Sequence, residues 1–186
     1  MSNVTPGFDQ RLMQVIPDLR AYAQSLCHNQ ALADDIVQDA LLSAWSKRAS
    51  LREIDRIKPW LLSIVRNTFL AHIRKNRSEV EDIDGSFAAR LVAPPEQPAA
   101  AELSDVKRAL AKLPLDEREA IALVCIDKLP YKEAAEVCGC PAGTMKSRVN
   151  RARSNLLAIL KEEKEACLEQ AELTNGILQA PAPARD

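Results

Sequence analysis

The sequence predicts an all-α protein built from two small helical domains, a helical bundle and a helix-turn-helix, joined by a flexible linker. Three observations carry that expectation. Apolar residues recur at helical spacing over long stretches, and no run alternates with the period of a strand. The 186-residue chain is 47% hydrophobic with only five glycines. A segment reading SEVEDIDGSFAARLVAPPEQPAAA, acidic first and Pro/Ala-rich afterwards, interrupts the helical periodicity as a linker does. The expected boundaries are a first domain over 8–78, a linker over 79–103, a second domain over 104–161 and a tail over 162–186. The first half of the tail has some apolar character (Leu168, Ala171, Leu173) and can extend a helix, whereas its end, QAPAPARD, is expected to be disordered.

In the first domain, Ala33 to Lys47 reads as an amphipathic helix with a wide core face of Ile36, Val37, Ala40, Leu41, Ala44 and Trp45. Asp34, Asp35, Gln38 and Asp39 cluster on its other side near the N-terminal end. Acids there suit the helix dipole, and the same polar patch equally suits a docking surface. A polar and basic loop, Arg48 to Ile57, leads to a helix from Lys58 to about Arg77. Pro59 sits in its first turn, where a missing N–H is tolerated. Its middle is apolar nearly all round, which predicts burial, and its charges are purely basic: Lys58, Arg66, Arg74, Lys75 and Arg77. A basic helix beside a polar loop can track phosphates and hold an extruded base; the bland alternative is a solvated helix end.

In the second domain, Leu129 to Leu157 reads LPYKEAAEVCGCPAGTMKSRVNRARSNLL. A short helix from Tyr131 to Val137 is broken at Gly139 and Pro141, and a second helix opens at Gly143–Thr144, with Thr144 as candidate N-cap. The second helix carries Lys146, Arg148, Arg151 and Arg153 with no acid among them. Two helices joined by a tight Gly-containing turn, the second basic, are the plan of a helix-turn-helix DNA reader. At 100° per residue, Met145, Val149, Ala152, Leu156 and Leu160 make the core stripe. Ser147, Asn150, Arg151 and Ser154 lie opposite, flanked by Lys146 and Arg148. Arg can bridge guanine O6 and N7, and Asn can pair with adenine N6 and N7.

Composition narrows the remaining classes. The formal net charge of −1 excludes a histone-like basic coat, so any DNA affinity must come from local patches. Five cysteines, an odd number, fit a reduced compartment, and Cys138-Gly-Cys140 alone is a weak metal signal in a helical turn. His28 and His72 have no plausible nucleophile partner. No Gly-rich phosphate loop, paired-carboxylate constellation or metal motif occurs, so neither an enzyme nor a cofactor is expected. The N-terminus lacks a secretory signal and no stretch can span a bilayer, which predicts a cytoplasmic protein without membrane insertion.

Three of these segments also resemble one family. ADDIVQDALLSAW looks like the core-polymerase-binding helix of bacterial sigma factors. PWLLSIVRNTFLAHIRKNR resembles the helix that engages the −10 element, and LPYKEAAEVCGCPAGTMKSRVNRAR looks like the −35-reading helix-turn-helix. Their order, the linker and the length resemble the extracytoplasmic-function (group IV) sigma factors, which retain the domains σ2 (a helical bundle) and σ4 (the helix-turn-helix). The resemblance implies that Asp34, Asp35, Gln38, Asp39 and Leu42 bind core RNA polymerase, with Asp35, Gln38 and Asp39 facing the clamp helices of β′. It places Arg52, Lys58, Arg66, Asn67 and Arg74 at the −10 element, and Tyr131, Lys132, Thr144, Lys146, Ser147, Arg148, Asn150 and Arg151 at the −35 element. Many members carry Asp four positions after the Asn of the −10 helix. Here that site is Ala71, a departure that bears on the local −10-side contacts and not on the fold. RNTF followed by RKNRSEVEDIDG is more like the general-stress-response type of alphaproteobacteria, which is held inactive by an anti-sigma factor. The implied partners are core RNA polymerase (β′ and β), promoter DNA and an anti-sigma factor. The principal alternative is a sigma-like decoy that sequesters an anti-sigma factor; such a module would normally be fused to a phosphoacceptor receiver, for which this chain has no room. A dimeric helix-turn-helix repressor would leave the DIVQDAL face unexplained.

Overall fold

In the computed structural model, residues 7–80 and 101–178 are described. The first unit opens with α1 (Phe8–Cys27) and α2 (Gln30–Lys47). They form a hairpin whose two-residue turn has His28 in the left-handed region, φ 52°, with its N–H donating to the Gln24 carbonyl at 3.0 Å. Asn29 then caps α2, its side-chain oxygen accepting from the Leu32 amide at 3.0 Å. The helix therefore starts a turn earlier than the Ala33 expected from periodicity. Two short 3-10 turns, Arg48–Ser50 and Ile54–Arg56, replace the expected loop and lead into α3 (Ile57–Val80).

Leu19, Tyr22 and Leu26 of α1 meet Ile36, Ala40 and Ala44 of α2 and Leu61, Leu62, Val65 and Phe69 of α3 in one core, as the apolar run of α3 predicts. Phe8 is an anchor at one end, edge-on to Trp45 at 6.1 Å and to Trp60 at 6.4 Å between ring centroids. Trp45 differs from expectation. It is 46% exposed and lies at the border of the core face, with the Arg48 guanidinium 5.1 Å above its ring.

The second unit comprises α4 (Ala101–Lys112), α5 (Leu115–Ile121), a π-helical stretch (Ala122–Ile126), α6 (Tyr131–Cys138) and α7 (Ala142–Leu178). α5, α6 and α7 each begin directly after a proline (Pro114, Pro130, Pro141), and at Pro114 and Pro130 the fixed φ with an extended ψ sets up the helix entry. α7 opens at Ala142, with the Met145 amide bonded to the Pro141 carbonyl at 3.1 Å, so Thr144 lies inside the first turn and is not the N-cap. The helical extension expected for the tail is present: α7 runs on through Leu178. The linker assigned to 79–103 falls almost wholly outside the described residues, as does the end of the tail. Helix α3 continues to Val80 and α4 begins at Ala101, shortening that segment at both ends.

The two units are not separate bodies. α3 packs against α6, and α1 against α5. One apolar cluster runs from Leu19 and Leu62 into Ala120, Leu123, Ala134, Met145 and Val149. A satellite cluster of Leu113, Ile121 and Ala152 lies under α4 and takes in Leu156 and Ile159; Leu160, expected in the stripe, is half-buried beside it.

Candidate polymerase and nucleic-acid interfaces

The turn between α6 and α7 is set by Gly139. Its φ of 64° is left-handed, its N–H donates to Glu136 O at 3.2 Å, and the Cys140 amide reaches back to Ala135 O at 3.0 Å. That double bond pattern is a Schellman C-cap, which favours glycine because a Cβ is strained at this φ. Cys138 and Cys140 flank the turn. Burial first, then the charge of Glu119, pushes the Cys138 thiol up to about 12, which makes it a protonated packing group. Among the described residues no three potential ligands cluster as a metal site would require.

On α7, Met145, Val149 and Ala152 are fully buried, and this orients the helix. Lys146, Ser147, Asn150 and Arg151 are exposed on the opposite side, as the helical period predicts. Tyr131 and Lys132, at the start of α6, are exposed too, and Thr144 is half-buried, its carbonyl accepting from the Ser147 hydroxyl at 2.8 Å. Arg148 behaves differently from its neighbours. It is half-buried and turned toward α5, 3.3 Å from the Asp116 carboxylate. The sequence pattern brought these side chains to one edge but did not reveal that the Arg148 guanidinium is already engaged.

On α2, Asp35, Gln38, Asp39 and Leu42 form one exposed stripe, at i, i+3, i+4 and i+7. Asp34 is at its margin, half-buried and 3.6 Å from Arg20. Because the helix begins at Gln30, none of these acids is in its first turn, and the dipole effect fades beyond that turn. Helix capping therefore does not explain them. Leu42, 72% exposed, ends the stripe as an apolar side chain one turn on from Gln38 and Asp39.

The basic candidates of the first unit divide into two sets. Arg52, Asn67 and Arg74 are exposed, Arg74 resting on the Leu70 carbonyl at 3.2 Å. Lys58 and Arg66 are not available in this way. The Lys58 ammonium sits 2.7 Å from Asp18 and 3.2 Å from Asp127. Burial lowers its pKa, but the bond to Asp18 and the charge of Asp127 outweigh burial and leave it above the ordinary value. Asp127 is more deeply buried, and that burial raises its own pKa in spite of Lys58. Arg66 makes a two-pronged contact with Glu119, Nε to Oε1 at 2.7 Å and Nη2 to Oε2 at 3.3 Å. Glu119 is 1% exposed and also takes the Cys138 thiol at 3.9 Å. Arg56 pairs with Glu136 of α6. Arg118 donates to Leu26 O of α1 at 3.1 Å and to Leu113 O at 2.9 Å.

Sequence reasoning passed over Glu119, Asp127, Glu136 and Arg118. For Glu119 a signal was present. At helical spacing it falls on the apolar stripe of Leu115, Ala122 and Leu123, just as Arg66 falls on that of Leu62 and Phe69, and a charge on a core stripe implies a buried partner.

The two helical units, the first with an exposed acidic stripe on α2 and the second with a basic helix-turn-helix, mark a transcription factor of the sigma-70 class. The chain matches Sigma-70 region 2 over residues 12–79 and Sigma-70 region 4 over residues 103–156. It is 45% identical, over 157 residues, to the ECF RNA polymerase sigma factor EcfG of Rhodopseudomonas palustris, with 84% of this chain and 87% of that one covered. The fold is similar to that of the sigma factor RpoE from Bartonella quintana, solved in complex with the anti-sigma factor NepR. That match has a TM-score of 0.76 and 42% identity and covers 84% of this chain and 98% of the other. It is also similar to CnrH in complex with the cytosolic domain of CnrY, with a TM-score of 0.61, 27% identity, and coverage of 83% and 88%. The chain belongs to the ECF RNA polymerase sigma factors. Among the described residues no helix is long and apolar enough to cross a membrane.

Proposed function

We propose that this sigma factor binds core RNA polymerase through the exposed α2 stripe and directs promoter-specific initiation by reading −35 and −10 elements. The observation that carries the reading is the pairing, in one chain, of the Asp35/Gln38/Asp39/Leu42 face with the Lys146/Ser147/Asn150/Arg151 face. The α2 stripe anchors the chain to the polymerase, which supplies the chemistry. Asn150 and Arg151 read base edges in the −35 major groove, while Tyr131, Lys132 and Lys146 position the helix on phosphates. Arg52, Lys58, Arg66, Asn67 and Arg74 hold the unstacked −10 strand. Two weak contacts joined by one chain gain through effective concentration, which suits a protein of net charge −1.

Control by an anti-sigma factor is supported by the RpoE and CnrH relatives, the first of which was solved with one. A role in a general stress response rests on the RNTF and RKNRSEVEDIDG strings. A cytoplasmic location follows from the work of a polymerase subunit. The test is run-off transcription with purified core polymerase on promoters randomised at −35 and −10. Selective initiation, with a recoverable consensus, is the expected result. Folded protein that confers no initiation would remove the sigma reading and bring the decoy forward.

A further inference from the structure

Of the basic side chains on α7 between Lys146 and Arg153, one is withheld from solvent. Lys146, Arg151 and Arg153 are exposed, whereas Arg148 is half-buried, its Nε 3.3 Å from Oδ2 of Asp116 on α5. The contact is one of charge: that nitrogen is buried and makes no hydrogen bond. Asp116 keeps 43% of its side-chain surface, so the pair lies at the rim of the helix-turn-helix and not in its core. Arg148 stands about 60° round the helix from Arg151, on the flank of the exposed face. A cation on the flank of a groove-entering helix meets sugar and phosphate, not base edges. We propose that Asp116 restrains DNA affinity by holding the Arg148 guanidinium off the duplex backbone, so that binding rests more on the base-reading side chains.

A phosphate contact adds affinity for every sequence alike, and non-specific sites compete with a promoter by their number. Withholding one cation therefore lowers the hold on duplex DNA in general. The pair is not needed to place the helix. Met145, Val149 and Ala152 are fully buried, and Glu117, 5% exposed, takes the Asn155 amide at 2.7 Å, two turns on from Arg148. α7 thus keeps its roll about its own axis when Asp116 is neutralised. A partly exposed ion pair also contributes little to stability, which leaves restraint as the role that its position supports.

The place of this restraint at the −35 element rests on the function proposed above, but release of Arg148 is measurable without it. Full-length wild type, Asp116→Asn and Asp116→Asn/Arg148→Ala are compared by anisotropy of a fluorescein-labelled, mixed-sequence duplex over a salt series. Asp116→Asn is isosteric and is expected to bind roughly three- to tenfold tighter at low salt, with the slope of log K against log salt steeper by about 0.9. The double variant is expected to return to the wild-type slope. In run-off transcription with core polymerase on a −35 library, below saturation, Asp116→Asn should raise initiation from all variants by a similar factor and keep their ranking. A brace that merely positions α7 would instead change the ranking or weaken binding in Asp116→Asn, and Arg148→Ala would do the same. Unchanged affinity and slope in folded Asp116→Asn overturn the restraint. So does a gain that persists in the double variant, which would trace it to the lost carboxylate alone. No initiation by any form, with the duplex gain and its reversal intact, sinks the sigma reading and leaves the restraint standing. Selective initiation with equal affinities and slopes in all three forms does the reverse.

Discussion

Single side chains on α7 have different consequences although the sequence presents them as equals. Arg151 is exposed on the face opposite the core stripe, while Arg148, three residues earlier, leans on Asp116. Arg151→Ala is therefore expected to weaken −35-dependent transcription by about 1–3 kcal/mol, the worth of a bidentate base contact, and to relax selectivity at one position. Arg148→Ala should leave selectivity among −35 variants closer to wild type. Unchanged selectivity for Arg151→Ala in run-off assays would remove that residue from the readout set. His28 supplies a second residue-scale prediction. Burial first, and then the nearby Arg118 charge, lower its pKa from 6.5 to about 4. The unfolded chain thus binds a proton that the folded chain refuses, so this contribution to stability is complete above about pH 6.5 and is lost as pH falls through about 4. Melting curves of His28→Gln should show a weaker fall over that window than wild type; identical curves would assign the acid sensitivity elsewhere. The exposed polar face of α7 was legible because it follows from one helical period. The engagement of Arg148, Lys58 and Arg66 was not, because each partner lies on another element.

Elements were the most legible level, and their errors have local causes. The apolar spacing located α2, α3, α6 and α7, yet periodicity cannot see where a helix starts. Asn29 moved α2 forward by supplying a side-chain cap, and the Pro141 carbonyl moved the start of α7 ahead of Thr144. The correction to α2 has a functional consequence, since it takes the acids out of the first turn and leaves docking as their better explanation. Asp35→Arg is accordingly expected to abolish co-purification with core polymerase while far-UV circular dichroism and the melting temperature stay near wild type, the position being exposed. Normal competition for core by that variant would show the stripe to be solvent face only. The Gly139 break was readable as a Gly-Cys-Pro interruption, and the structure adds that it is a left-handed C-cap. Gly139→Ala meets no atom within 4 Å, so its cost is backbone strain alone, about 1–2 kcal/mol in thermal or denaturant unfolding. A negligible change would mean that the turn relaxes to another conformation.

At the scale of the whole molecule, the two-domain plan was evident from composition, but the packing of one domain on the other was not. Arg66 and Glu119 are 53 residues apart, Lys58 and Asp127 69, and no local pattern specifies such a pairing. What the sequence did contain was two charges misplaced on apolar stripes, a sign that each needs a buried partner without saying which. The packed arrangement leaves the α2 stripe and the exposed face of α7 uncovered, while Lys58 and Arg66 are engaged within it. The central claim is that one chain couples a polymerase-docking face to a promoter-reading face. Its most direct test is run-off transcription from a promoter recovered by selection, using core polymerase with wild-type protein or with folded Asp35→Arg. The account predicts promoter-dependent transcripts with wild type and none above core alone with the variant. Equal transcripts from both, or none from either, would contradict it.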